Sequence, residues 1–315
     1  MKVIQNFSSK KHVTEFPVVD LLIWYLGLNQ LRAFGYDVKL YCEKKDLDFL
    51  KSWGLLDLYS EIDDEFMSNN ELINDDNLIN GENFWSKRKI ECINHEFEIS
   101  AEPFVYMDTD IILNAPLSID DSVDLFVWSP ESQEKIYIPW THMSIPEGYH
   151  MPKYIFNEKD AYNCGILYFK RKNMFAEYRK QYLSYTVNNP CETCGVQAWD
   201  ITIRNIWACN AEQRILKAVA SYRHWRVKMF MDAQAPGACE AGIHYYYFRG
   251  FWRLLSVKDF LSDEQRHYWT NLLNFQIDQL LHIMEQYTPD ALKRFLEVDW
   301  LKDFYENHTP IVEYK

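Results

Sequence analysis

The sequence predicts an α/β domain followed by a C-terminal helical extension. Three observations carry that prediction. Short apolar runs alternate with helix-length segments through the first two-thirds of the chain, the pattern of strands joined by helices. From Phe260 to Tyr305 the pattern is almost wholly helical. Hydrophobic residues make up 48% of the 315, enough for a sizeable core. The boundary falls between residues 258 and 259, giving domains 1–258 and 259–315.

In order, Val3–Phe7 reads as a first strand, followed by a polar loop, Ser8–Glu15. Phe16–Phe34 is a long helix stopped by Gly35, since glycine readily takes the left-handed conformation that ends helices. Asp37–Cys42 alternates like a strand, and Lys45–Trp53 is a helix closed by Gly54. Leu58–Ile62 is a third short strand, and Met67–Glu82, rich in Asn and Asp, is a loop. Asn83–His95 is a helix, Phe104–Leu113 a single strand and Asp124–Trp128 another. Residues 129–160 carry four prolines and read as irregular. Tyr162–Phe169 is a strand, helices follow at 174–187 and 196–221, and Val227–Met231 and Gly242–Tyr247 are short strands.

Charge and cysteine usage narrow the function classes. A net charge of −13 excludes the clustered basic surface that nucleic acid requires and gives no general attraction to anionic membranes. Seven cysteines scattered through apolar segments fit reduced thiols in a cytoplasmic protein; Cys191 and Cys194 form a CxxC with no second ligand pair at zinc spacing. The N-terminus lacks the apolar core of a signal peptide, so the Asn307–Thr309 glycosylation triplet is discounted. The most apolar segment, Phe16–Phe34, contains Asp20, Asn29, Gln30 and Arg32 and reads as a core helix rather than a membrane span. Aromatic residues are 16% of the chain and supply ring-rich core packing or a groove for sugars and bases.

The strongest chemical signal is Asp108-Thr-Asp110, set within an apolar run. Residues i and i+2 of an extended segment point the same way, so the two carboxylates can face one point. Buried carboxylates need compensation, and a hard divalent cation with oxygen ligands is the natural candidate. That points to metal-assisted chemistry on a phosphate-bearing substrate. Asp46-Leu-Asp48 has the same spacing but reads as the acidic first turn of a helix.

The order of motifs resembles the GT-A class of nucleotide-sugar glycosyltransferases, most closely the family 8-like branch and related uncharacterised bacterial families. Four features carry the resemblance: the basic-aromatic segment Phe84-Trp85-Ser86-Lys87-Arg88-Lys89; Asp108-Thr-Asp110 followed by Ala115-Pro116-Leu117; Tyr162-Asn163-Cys164-Gly165-Ile166; and His244 before an aromatic run. The resemblance implies a mixed, mainly parallel sheet of Rossmann-like type and a nucleotide-diphosphate sugar donor, most often a UDP-sugar. It implies Mn2+ or Mg2+ held by Asp108 and Asp110 with His244 as a third ligand, and an acceptor such as a cell-surface glycan. The compact HxxGxxK of that class is absent, and Gly250 and Lys258 match it only loosely. Family 8 leans towards retention of anomeric configuration.

Other residues are candidates on chemical grounds. Arg88 and Lys89 can neutralise a leaving diphosphate, or else form a solvated helix face. Asn163 offers a sugar hydroxyl both a donor and an acceptor, and Gly165 permits close backbone approach; the plain alternative is a turn entering a strand. Glu212 and Gln213 can supply an acceptor-side carboxylate and amide, and Asp232 a strand-end carboxylate. Asn6, and more weakly Cys42 and Glu43, stand at strand ends, where open α/β sheets bind ligands.

Three rivals accompany this reading. Asp108-Thr-Asp110-Ile-Ile-Leu113 is similar to the motif of haloacid dehalogenase-like phosphatases, where the first Asp is a nucleophile, but here long α/β sequence precedes it. A non-catalytic binding protein of the same fold is the second. A nucleotidyltransferase is the third, and the absence of Gly from residues 6–15 speaks against it.

Overall fold

A computed structural model describes residues 1–8, 18–70, 73, 86–132, 137–187, 189, 206–231, 238–239, 242–244 and 263–307. The strands are β1 (Lys2–Asn6), β2 (Asp37–Tyr41), β3 (Glu61–Asp63), β4 (Phe104–Met107), β5 (Ile111–Leu113), β6 (Leu125–Glu131), β7 (Ala161–Phe169), β8 (Val227–Met229), β9 (Ala238–Cys239) and β10 (Gly242–His244). The helices are α1 (Val18–Ala33), α2 (Leu47–Ser52), α3 (Glu65–Asn69), α4 (Ser86–Ile99), α5 (Lys153–Phe156), α6 (Lys172–Thr186), α7 (Ile215–Tyr222), α8 (Asp263–Tyr287), α9 (Pro289–Phe295) and α10 (Asp299–Asn307).

Seven strands form one sheet in the order β3-β2-β1-β4-β7-β6-β8. β1 pairs in parallel with β2 and β4, β2 with β3, and β6 with β8; β7 runs antiparallel to both β4 and β6. This is the mixed, mainly parallel sheet that the resemblance implies. The order reverses between β1 and β4, since the chain first extends the sheet to one side through β2 and β3 and then crosses to the other. A switch of this kind opens a crevice beyond the carboxyl ends of the flanking strands.

Side-chain alternation divides the core between the two faces of the sheet. Val3, Val38, Val105 and Met107 face one cluster, which α1 and the C-terminal residues Ile277, Leu280, Met284, Phe295 and Leu301 complete. Ile4, Tyr41, Phe104 and Tyr106 face the other, with Ile90, Ile93, Phe175, Tyr178 and Leu216. The helices after residue 263 therefore share their core with α1. No helix among the described residues is long and apolar enough to cross a membrane. Cys42, Cys92, Cys164 and Cys209 are free and buried, whereas Cys191 and Cys194 lie outside the described residues.

The structure corrects several boundaries. The stretch 104–113 is two strands in two sheets: β4 belongs to the large sheet, and β5 pairs with β10 in a second sheet ordered β5-β10-β9. Gly27 of α1 explains where β5 lies. A Cβ at Gly27 would stand 2.5 Å from the carbonyl oxygen of Ile111, so only glycine lets helix and strand meet so closely. The predicted third strand begins later, at Glu61, after a 3-10 turn at Leu56–Leu58. Part of the predicted loop after Met67 belongs to α3, and β6 continues to Glu131.

Candidate functional site

The carboxyl ends of β1 and β4 converge on Asp108. Its N–H donates to the carbonyl of Gly165 at 2.8 Å, the last rung between β4 and β7, and its carbonyl receives Gln5 Nε2 at 3.4 Å. Thr109 and Asp110 then form a turn that carries the chain to β5. The i, i+2 argument for an extended strand therefore does not describe 108–110. The Asp108 side chain is 23% exposed, whereas Asp110 is buried.

A lysine reaches Asp108 from α4. Lys89 Nζ lies 3.0 Å from Oδ1 and 3.2 Å from Oδ2, so it straddles the carboxylate. It also donates to the carbonyl of Cys164 at 3.0 Å, stands 2.7 Å from Glu212 Oε1 and lies 5.0 Å from the ring centre of Tyr106. Both Lys89 and Glu212 are buried. Burial works against the lysine charge, but Asp108 and Glu212 outweigh it and hold the ammonium well above the ordinary lysine value. Burial pushes the Glu212 carboxyl up to about 7, against the pull of Lys89 and with a push from Asp108.

Tyr106 links this group to β1. Its hydroxyl is 2.6 Å from Asn6 Oδ1 and 3.1 Å from Asp108 Oδ1. One hydroxyl hydrogen serves one acceptor well. The shorter contact, to Asn6 Oδ1, is the stronger of the two. Asn6 and Asp108, on the two strands bordering the switch point, are thus joined through one side chain.

The other candidates separate into those near this group and those engaged elsewhere. Arg88 directs its guanidinium to the carbonyl of Ile73 at 3.0 Å and to Glu43 Oε1 at 3.6 Å; Ser8 also donates to Glu43, at 2.7 Å. Asn163 is buried, donating to Glu131 Oε1 at 3.0 Å and accepting from the N–H of Gly165 at 2.9 Å. Gln213 accepts a hydrogen bond from Tyr137. His244 is placed by main-chain register alone, opposite Ile111 and so one residue from Asp110. Asp232 and Lys258 lie outside the described residues.

Two residues of this region escaped the sequence reading. Tyr106 could have been found from its position two residues before Asp108 in a buried strand, on the same face. Glu131 closes the apolar run of β6, as Asp108 closes that of β4, but it lies in a stretch whose prolines suggested irregular chain.

Whether these residues suit a divalent ion depends on their donors. Asp108 keeps acceptor capacity and exposure beyond Lys89 and Tyr106, and carboxylate with imidazole is a donor set that suits Mn2+ and accommodates Mg2+. No group of three His, Cys, Asp or Glu side chains assembles at ligating distance among the described residues. Asp108 and Asp110 with His244 fit such an ion in chemistry, with His244 located only by its strand.

Residues 1–254 match a family of unknown function, DUF6734, and the chain belongs to that family. No curated protein matches it. Among solved structures, mouse xyloside xylosyltransferase 1 in its apo form is similar at 12% identity and TM-score 0.38, covering 73% of this chain and 85% of that one. The galactosyltransferase LgtC in complex with donor and acceptor sugar analogues aligns at 12% identity and TM-score 0.35, covering 85% and 99%. The 4-diphosphocytidyl-2C-methyl-D-erythritol synthase of Anaerococcus prevotii DSM 20548 aligns at 12% identity and TM-score 0.33, covering 76% and 92%. Likeness of this extent assigns neither chemistry nor substrate.

Proposed function

We propose that this protein is a metal-dependent glycosyltransferase that takes a nucleotide-diphosphate sugar, a UDP-sugar by the resemblance of its motifs, and passes the sugar to a glycan-type acceptor. The observation that carries this reading is the junction of Asn6, Tyr106, Asp108 and Lys89 at the switch point of a mainly parallel sheet. There the crevice receives a nucleotide, and carboxylate and ammonium meet where a diphosphate would lie.

Asp108 and Asp110, with His244, hold the ion in this reading. A bound Mn2+ or Mg2+ supplies Lewis-acid neutralisation of the diphosphate. Asn6 meets the nucleotide. Lys89, its charge secured by two carboxylates, gives a fixed positive centre at the edge of the donor site, pre-organised for charge developing on the leaving group. Arg88, with Glu43 and Ser8, borders the same crevice from the β2 side. Asn163 and Gly165 shape the wall behind the sugar by fixing each other and the backbone of Asp108.

The test is thermal denaturation with UDP, with and without Mn2+, on the native chain and on Asp108→Asn and Asp110→Asn. Stabilisation that requires both ion and carboxylates is expected. A ligand at a hundred times its Kd contributes about 2.7 kcal/mol, which is readily seen. Absence of any shift with UDP, GDP or other nucleoside diphosphates would overturn the reading. Release of phosphate from a phosphomonoester, lost in Asp108→Asn, would replace it with the phosphatase.

A further inference from the structure

The helix that runs from 206 to Tyr222 is interrupted by a single π-turn, Asn210–Arg214, and Glu212 sits in its middle. A π-turn accommodates one residue more than the α-helix and leaves a carbonyl outside the regular ladder. Two side chains brace this one: Asn210 Nδ2 donates to the carbonyl of Ile206, four residues back, at 2.8 Å. Asn210 Oδ1 in turn accepts from Arg214 Nη1 at 3.0 Å. Arg214 is itself anchored outside the helix. It donates to the carbonyls of Ile138 and Glu158, both at 2.7 Å, and its guanidinium lies 4.6 Å over the ring of Trp140.

Asn210, Glu212 and Arg214 are all buried. Asparagine is a poor residue for a helix interior, because its amide competes for backbone partners, and buried polar groups persist only where something uses them. An added residue rotates the remainder of the helix by about 100° around the axis, so the wide turn decides where Glu212 points. It points to Lys89, and Lys89 to Asp108.

We propose that Asn210 and Arg214 are positioning residues for the Asp108 site. They hold open the π-turn that aims Glu212 at Lys89. Their chemical purpose rests on the donor-site reading above. The test needs neither nucleotide nor ion, so the two stand or fall separately.

The experiment is amine labelling of the full chain with N-hydroxysuccinimidyl acetate, resolved residue by residue by mass spectrometry. Lys39 is the internal control. It is equally buried, but sits in a different cluster with Glu61 at 2.8 Å and Glu96 at 3.4 Å. In Asn210→Ala, Lys89 should label at least several-fold faster while Lys39 keeps its native rate. Asn210→Thr, whose hydroxyl can reach the carbonyl four residues back, should return Lys89 towards native protection. An unchanged Lys89 rate in Asn210→Ala would overturn the proposal. So would a parallel rise at Lys89 and Lys39, because Asn210 would then serve only general stability. If Asn210→Ala does not fold, Arg214→Lys, which loses the fork to Asn210 and to the carbonyls of Ile138 and Glu158, takes its place: faster labelling at Lys89 alone supports the proposal, and an unchanged Lys89 rate refutes it.

Discussion

Replacing Lys89 with methionine removes the cation between Asp108 and Glu212 while keeping most of the side-chain volume, so the effect is electrostatic rather than a cavity. The two carboxylates do not respond equally. Asp108 is 23% exposed and keeps Tyr106, so water can solvate it. Glu212 is completely buried and loses the cation 2.7 Å away. Leaving one buried charge without its partner costs about 3–5 kcal/mol, out of a total stability of about 5–15 kcal/mol. Glu212 can avoid that cost by taking up a proton, which burial already favours by pushing its carboxyl up to about 7. A carboxyl raised in the folded state binds its proton more tightly folded than unfolded. Its contribution is therefore full below the ordinary carboxylate range and is lost as pH rises through the folded value, by about 1.4 kcal/mol per unit. Without Lys89 that folded value rises further. Lys89→Met should cost about 2.5 kcal/mol at pH 8 and about 1 kcal/mol at pH 5, as read by urea denaturation followed by circular dichroism. Adding Glu212→Gln should recover most of the loss at pH 8. Equal losses at the two pH values, or no recovery in the double variant, would refute the reasoning.

Gly27→Ala places a methyl group against the carbonyl of Ile111, at a distance no relaxed contact shows, so α1 or β5 must move. Overpacking of this kind costs about 1–3 kcal/mol, and the displaced β5 should also weaken any Mn2+-dependent stabilisation by UDP, checked by thermal melts with and without ligand. Arg226 grips Asp124 through Nε at 2.9 Å and Nη2 at 3.0 Å, and its side-chain hydrogen bond is the main reason the Asp124 carboxyl is held down at about 2. A depressed carboxyl stabilises above the ordinary carboxylate range and loses that contribution as pH falls towards 2. Arg226→Gln should therefore move the acid-unfolding midpoint to higher pH, and an unchanged midpoint would show that the pair contributes nothing.

The strands and helices were legible where local pattern alone decides them. β1, β2, β4 and β7 are short apolar runs with turn residues at their ends, and α1 and α2 stop at Gly35 and Gly54, both at positive φ. Asp108 stood out because two carboxylates interrupt an apolar run, and its placement at a strand end needed no knowledge of the rest of the chain. The break between β4 and β5 was not legible. Alternation says nothing about which partner a strand takes, and β5 leaves the large sheet to meet β10 and the bare backbone of Gly27.

The sequence by itself determined an α/β chain with a carboxylate pair at the end of a central strand, because propensity, alternation and the cost of burying charge act over a few neighbouring residues. Only the tertiary structure decided which groups answer those carboxylates. Lys89 and Arg88 are adjacent in one helix, yet one turns to Asp108 and the other to Glu43. Glu212 reads as a helix carboxylate offered to an acceptor, yet it is buried in a π-turn as the second partner of Lys89. Such pairings depend on strand order and on one extra residue in one turn, and side chains far apart in sequence acquire their charge environment only when the sheet brings them together.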